Sequence, residues 1–160
     1  MRILGIDPGL KITGYGLIDV EGSRIKLLEA GIIQPKAKGL LESRINTIYK
    51  NLDDLVVEYH PDVMVLEKLY THYHHPTTAS LLGHVRGVIC LLCARRNLKL
   101  AEHSVKRIRK AIIGSGAASK NQTQRMVAHT LKINKNQLTA DASDALALAL
   151  GYAQIISNKI

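Results

Sequence analysis

Apolar and polar positions change rhythm several times along this chain, and each change predicts an element. Residues 2–7, RILGID, form an apolar run that reads as a strand buried on both faces, closed by the turn-prone Pro8-Gly9. In KITGYGLIDV, Ile12, Tyr15, Leu17 and Ile18 interleave with Gly14 and Gly16, the pattern of a strand approached closely by another backbone. A break at Glu21-Gly22-Ser23 precedes RIKLLEAGIIQP, a third strand stopped at Pro35. Short turns between these strands predict an antiparallel meander.

From Gly39 to Tyr59 the rhythm lengthens: Leu40, Leu41, Ile45, Ile48, Leu52, Leu55 and Val56 recur at helical spacing, and Pro61 stops the helix. VMVLE predicts another buried strand, Val63 to Leu66, running into Glu67. THYHHPTTAS reads as a loop and helix start, SLLGHVRGVICLLCARR as a largely apolar helix ending near Asn97, and LKLAEHS as a short strand. A basic helical stretch leads to the Gly114-Ser115-Gly116 loop, and helices follow from about Ser119 to Leu131 and from about Asp141 to Ser157. This order predicts an α/β domain with a mixed five-stranded sheet covered by helices. With 160 residues and no repeats, low-complexity tracts or linkers, residues 1–160 read as a single domain.

Composition narrows the picture. The chain is 46% hydrophobic without Phe or Trp, so its core must be built from Leu, Ile, Val and Ala. No apolar run reaches the roughly 18 residues of a membrane span, and the N-terminus lacks a charged and then apolar leader pattern, so the expectation is a cytoplasmic protein without a membrane partner. Cys90 and Cys93, spaced i and i+3 among apolar neighbours, read as core packing. A zinc or redox reading of C-x-x-C needs a second ligand pair or a redox context.

Charge adds a candidate partner. The formal net charge is +9, and the excess lies in one stretch: Arg95, Arg96, Lys99, Lys106, Arg107, Arg109, Lys110, Lys120, Arg125, Lys132 and Lys135 face a single acid, Glu102. A basic footprint confined to one region suits a polyanion, nucleic acid above all; the plainer alternative is a solvated basic face.

Most acids fall where solvent is expected, in turns or on the first helix. Four do not. Asp7 and Glu67 each terminate an apolar strand, and Asp141 and Asp144 open the apolar helix DASDALALALGYA, one turn apart. Strand ends are where open α/β folds gather their sites. Should the last helix cross the ends of both strands, four negative charges meet, and such a cluster raises its own pKa values unless a divalent cation occupies it. Oxygen-only ligands suit Mg²⁺ or Mn²⁺, and two such ions about 4 Å apart clamp the attacking and leaving oxygens of a phosphoryl displacement. Taken singly, each acid has a plainer reading as a turn cap, a helix N-cap or a dipole partner.

Five motifs in order, ILGIDPGL..TGYG, a strand-end glutamate followed by an aromatic, LG..RG, G.G.A.K and D..DALA.A, span nearly the whole chain, which closely resembles the Holliday-junction resolvases of the RuvC type, the crossover junction endodeoxyribonucleases. The resemblance implies a ribonuclease H-like fold and a homodimer that introduces paired nicks into a four-way junction, with RuvA and RuvB as branch-migration partners. Asp7, Glu67, Asp141 and Asp144 match the family's metal-binding catalytic acids. Tyr70 falls where the family carries a base-stacking phenylalanine, Lys120 matches a basic residue near the scissile phosphate, and Gly114 and Gly116 would let backbone approach DNA. Two positions depart from the pattern: Arg109, flanked by Lys106 and Lys110, replaces a lysine, and His74-His75-Pro76 lengthens the loop after Tyr70. The histidines could be metal ligands; a polar DNA-facing loop is the preferred reading.

Three rivals remain at this point. A nuclease-like protein could bind branched DNA without cutting it. The first strand with its Asp-Pro-Gly turn is shared with actin-like kinases, although this chain is short for two lobes. A related nuclease that processes ribosomal RNA precursors is nearer, and the aromatic after Glu67 and the LG..RG helix favour the junction enzyme.

Overall fold

In the first strand, β1 (Arg2–Asp7), the pleat sends alternate residues to opposite sides, and both sides are covered. Ile3 belongs to one apolar cluster while Leu4 and Ile6 belong to the other. The computed structural model describes residues 1–68 and 76–157. After β1 come β2 (Thr13–Glu21), β3 (Arg24–Ile33), α1 (Leu41–Tyr59), β4 (Val63–Glu67), α2 (Pro76–Arg95), β5 (Lys99–His103), α3 (Val105–Ile113), α4 (Lys120–Leu131), a short 3-10 turn at Lys135–Gln137, and α5 (Ala140–Ser157). The sheet order is β3-β2-β1-β4-β5. β1, β2 and β3 form the expected antiparallel meander, and β4 and β5 join it in parallel with β1.

The two clusters are the two faces of this sheet. Leu4, Ile6, Leu17, Met64 and Leu66 pack with Ile48 and Leu52 of α1 and with Val85, Ile89, Leu92 and Cys93 of α2. Ile3, Ile18, Val63 and Val65 pack with Ile108 of α3, Val127 of α4 and a run of α5 from Leu146 to Ile155. α5 is apolar on nearly every side because it is enclosed between the sheet and the helices α3 and α4. The helix α2 divides differently: Cys93 is buried as expected, but Cys90 is exposed. Buried Val85, Ile89 and Leu92 set the core-facing stripe of α2, and Cys90 falls outside it. α2 runs from Pro76, within the segment read as a loop and helix start, and proline suits a first helical turn.

Candidate active site

Alternation along β1 and β4 determines where the strand-end acids point. The ladder pairs Ile3 with Val63, Gly5 with Val65 and Ile6 with Leu66, so Asp7 and Glu67 each follow one residue beyond the last pair. Ile3 and Val63 face α5, and by the two-residue period so do Gly5, Val65, Asp7 and Glu67. Two strands in register therefore deliver two carboxylates to the same side of the same sheet end.

Glycines then let α5 lie directly on that side. A Cβ on Gly5 would sit 2.0 Å from the Ala145 carbonyl oxygen, and one on Gly14 would sit 2.2 Å from that of Asp141. Gly14 is the cross-strand partner of Asp7, so this contact brings Asp141 over the end of β1. The close backbone approach read from Gly14 and Gly16 is thus made by α5.

Capping does not explain these acids. The Thr139 hydroxyl accepts from the Ala142 amide at 3.2 Å and so caps α5, leaving Asp141 in the first turn. The turn after Asp7 is closed by Thr13, whose hydroxyl donates to the Gly9 carbonyl at 2.7 Å.

Asp7, Glu67 and Asp144 line a cleft of about 160 Å³ together with Arg109 and Lys120, and with Val105, Ile108 and Thr123. Burial, then the charges of Asp144, Asp141 and Glu67, push the Asp7 carboxyl up to about 7. Glu67 is also raised, chiefly by burial, with Arg109 and Arg86 opposing. Lys120 Nζ is paired with Asp144, a contact that raises the lysine's pKa. Among the described residues, no group of three His, Cys, Asp or Glu side chains is drawn closely enough to hold a metal ion. The donor chemistry nonetheless fits one: the acids are oxygen ligands only, and Asp7 is driven toward its protonated form by burial and then by neighbouring negative charges that a hard divalent cation would offset.

The basic residues are less concentrated in space than in sequence. Arg109 and Lys120 reach the cleft, and Lys110 is exposed on α3. Arg96 lies at the opposite end of the sheet, bound to Asp53 of α1 by two 2.6 Å contacts. Gly114 caps α3 in the left-handed conformation at φ 83°, and a Cβ on Gly116 would crowd the Lys106 carbonyl at 3.1 Å. Both glycines thus have a local conformational or packing reason. Tyr70, His74 and His75 lie outside the described residues.

One group escaped sequence reasoning. Arg86, on the core side of α2, donates to the Glu67 main-chain carbonyl at 2.7 Å and pairs with Glu102 of β5. An arginine inside an apolar helical stripe was the available signal, within the LG..RG motif.

The strand order, with acids ending the two central strands beneath the last helix, defines a ribonuclease H-like nuclease fold. Residues 3–152 match the family model described as crossover junction endodeoxyribonuclease RuvC. A relative of that name from Alkaliphilus oremlandii is 40% identical over 96% of this chain and 93% of its own. The structure of Thermus thermophilus RuvC superimposes with a TM-score of 0.91 at 22% identity, over 99% of this chain and 97% of that one. T. thermophilus RuvC in complex with a Holliday junction substrate gives 0.89 at 20% identity, over 99% and 96%. The chain belongs to the RuvC family of crossover junction endodeoxyribonucleases, enzymes that hydrolyse DNA.

Proposed function

We propose that this chain is a metal-dependent endonuclease that resolves four-way DNA junctions by paired symmetric nicks during recombination and repair. The observation that carries the reading is the convergence of Asp7, Glu67, Asp141 and Asp144 on one sheet end beside Arg109 and Lys120. Asp7, Glu67, Asp141 and Asp144 would hold Mg²⁺ or Mn²⁺, two ions per site. Bound there, the metal would activate water and stabilise the departing 3′-oxygen. Asp7 must be ionised to act as a ligand, so its raised pKa makes loading pH-dependent. Lys120 must leave Asp144, and a DNA phosphate is the natural alternative anion for its ammonium. Arg109 adds a second positive charge lining the cleft, Lys110 and the Gly114–Gly116 loop extend the DNA path, and Tyr70 stacks on junction bases.

Paired nicking needs two sites, which a homodimer supplies. The outward face of α2 supports that arrangement: Leu91 is 54% exposed and Leu81 37%, and added Cβ atoms at Gly83 and Gly87 would meet nothing within 4 Å. In the cell the dimer would act in the cytoplasm with RuvA and RuvB.

A nicking assay on a mobile four-way junction tests the reading. Wild type should cut symmetrically in Mg²⁺ or Mn²⁺, and Asp7→Asn should bind without cutting. A wild-type protein that binds the junction but never nicks it in either metal would leave a binding module in place of an enzyme.

A further inference from the structure

Burying a cation on the core side of a helix is costly unless its partners are fixed, yet Arg86 sits there with only 8% of its surface exposed. We propose that Arg86 is a positioning residue for the acid centre: it clamps the end of β4, and with it Glu67, to β5 through Glu102. The inference rests on the metal-dependent nuclease reading above and adds a residue that does not itself reach the cleft lining.

The parallel ladder pairs Leu66 with Glu102 and Glu67 with His103, and beyond it the Lys68 amide donates to the His103 carbonyl at 2.9 Å. The Glu67 carbonyl is taken by Arg86 Nη1 at 2.7 Å, while Nη2 pairs with the Glu102 carboxylate. The backbone of Glu67 is therefore held from α2 on one side and followed by a bond to β5 on the other. Its carboxylate stays free to face α5. Glu102 is the one acid within the basic stretch from Arg95 to Lys135, and it is spent on this contact. A planar guanidinium can serve a carbonyl and a carboxylate at once, whereas a lysine ammonium at the same place is a single flexible point charge. Groups that hold a metal ligand in place typically change metal affinity or activity 10–100-fold when removed.

The test uses the full chain and Mn²⁺, with free Mn²⁺ read by electron paramagnetic resonance in the absence of DNA. Arg86→Lys should weaken Mn²⁺ binding about tenfold and raise the Mn²⁺ needed for half-maximal nicking in parallel. Its metal-free junction affinity should stay within about twofold of wild type, because the DNA-facing cations are untouched. Glu102→Gln, which leaves the Arg86 bond to Glu67 in place, should shift Mn²⁺ binding in the same direction by a smaller factor. A folded Arg86→Lys protein with wild-type Mn²⁺ affinity overturns the proposal. Should Arg86→Lys not fold, Glu102→Gln decides, and wild-type affinity there overturns it. Should wild type itself neither bind Mn²⁺ nor nick, the nuclease reading fails separately. The clamp is then judged by hydrogen exchange at the Lys68 amide: faster exchange in Glu102→Gln upholds it, and unchanged exchange overturns it.

Discussion

The two ends of the sheet treat acidic residues in opposite ways. At the end where β1 and β4 begin, three acids have compensating donors: the N-terminal ammonium lies 3.3 Å from Asp19, the Arg2 amide donates to Asp62 at 2.7 Å, and Arg96 grips Asp53 with two bonds. The Asp53 carboxyl is held below its ordinary range, first by the hydrogen bond from Arg96. At the end where β1 and β4 finish, Asp7, Glu67, Asp141 and Asp144 gather with fewer cations than acids, and Asp7 is pushed up to about 7. The same strands thus carry a structural end and a strained one. A fold optimised only for stability would have compensated both, so the end left with surplus negative charge marks the site.

Breaking the strained end should have the largest effect. Asp7→Asn is expected to reduce junction nicking to background while leaving metal-free junction affinity within about twofold, because phosphate contacts set most of that affinity; gel assays of cutting and of binding read the two separately. Next, Gly14→Ala should displace α5, since the new methyl would meet the Asp141 carbonyl at 2.2 Å. Overpacking of this kind costs about 1–3 kcal/mol or more, measurable by urea unfolding, and Mn²⁺ affinity should fall with it. Lys120→Ala should weaken junction binding and lower the slope of log K against log salt by about one, the signature of one lost phosphate contact. At the paired end, Asp53→Asn should lower the Tm slightly and leave nicking unchanged, as exposed ion pairs contribute little. A loss of cutting in Asp53→Asn would erase the distinction between the two ends.

Much of this site was legible along the chain, for identifiable reasons. Asp7 and Glu67 stand out because a charge ends each apolar run, and Gly14 and Gly16 announced a close backbone before the approaching helix was known. The acids of α5 were legible as a pair because that helix has almost no other polar positions. Arg86 was not, because its role depends on the register of β4 against β5, which brings Glu67 and Glu102 to one guanidinium. The basic stretch misled in another way: charge counted along the sequence ignores that β5 crosses the molecule, so Arg96 falls at one end and Arg109 at the other. Cys90 failed for lack of a reference direction, since spacing alone does not say which side of α2 is the core.

The pH dependence of stability tests the contrast most directly. Asp7 has its folded pKa raised from 3.8 to about 7, so its contribution to stability is fully present below about pH 4 and is lost as pH rises through 7. Asp53 runs the other way: its contribution is present above its ordinary pKa and is lost as pH falls through the lowered one. The measurement is thermal unfolding of wild type and Asp7→Asn from pH 5 to 8, with and without Mg²⁺. Without metal, wild type should lose stability relative to Asp7→Asn as pH rises, by on the order of a few kcal/mol. Mg²⁺ at pH 8 should restore wild type far more than the variant. Parallel pH profiles with equal responses to Mg²⁺, or an Asp7→Asn protein less stable than wild type at pH 8 without metal, would contradict the account.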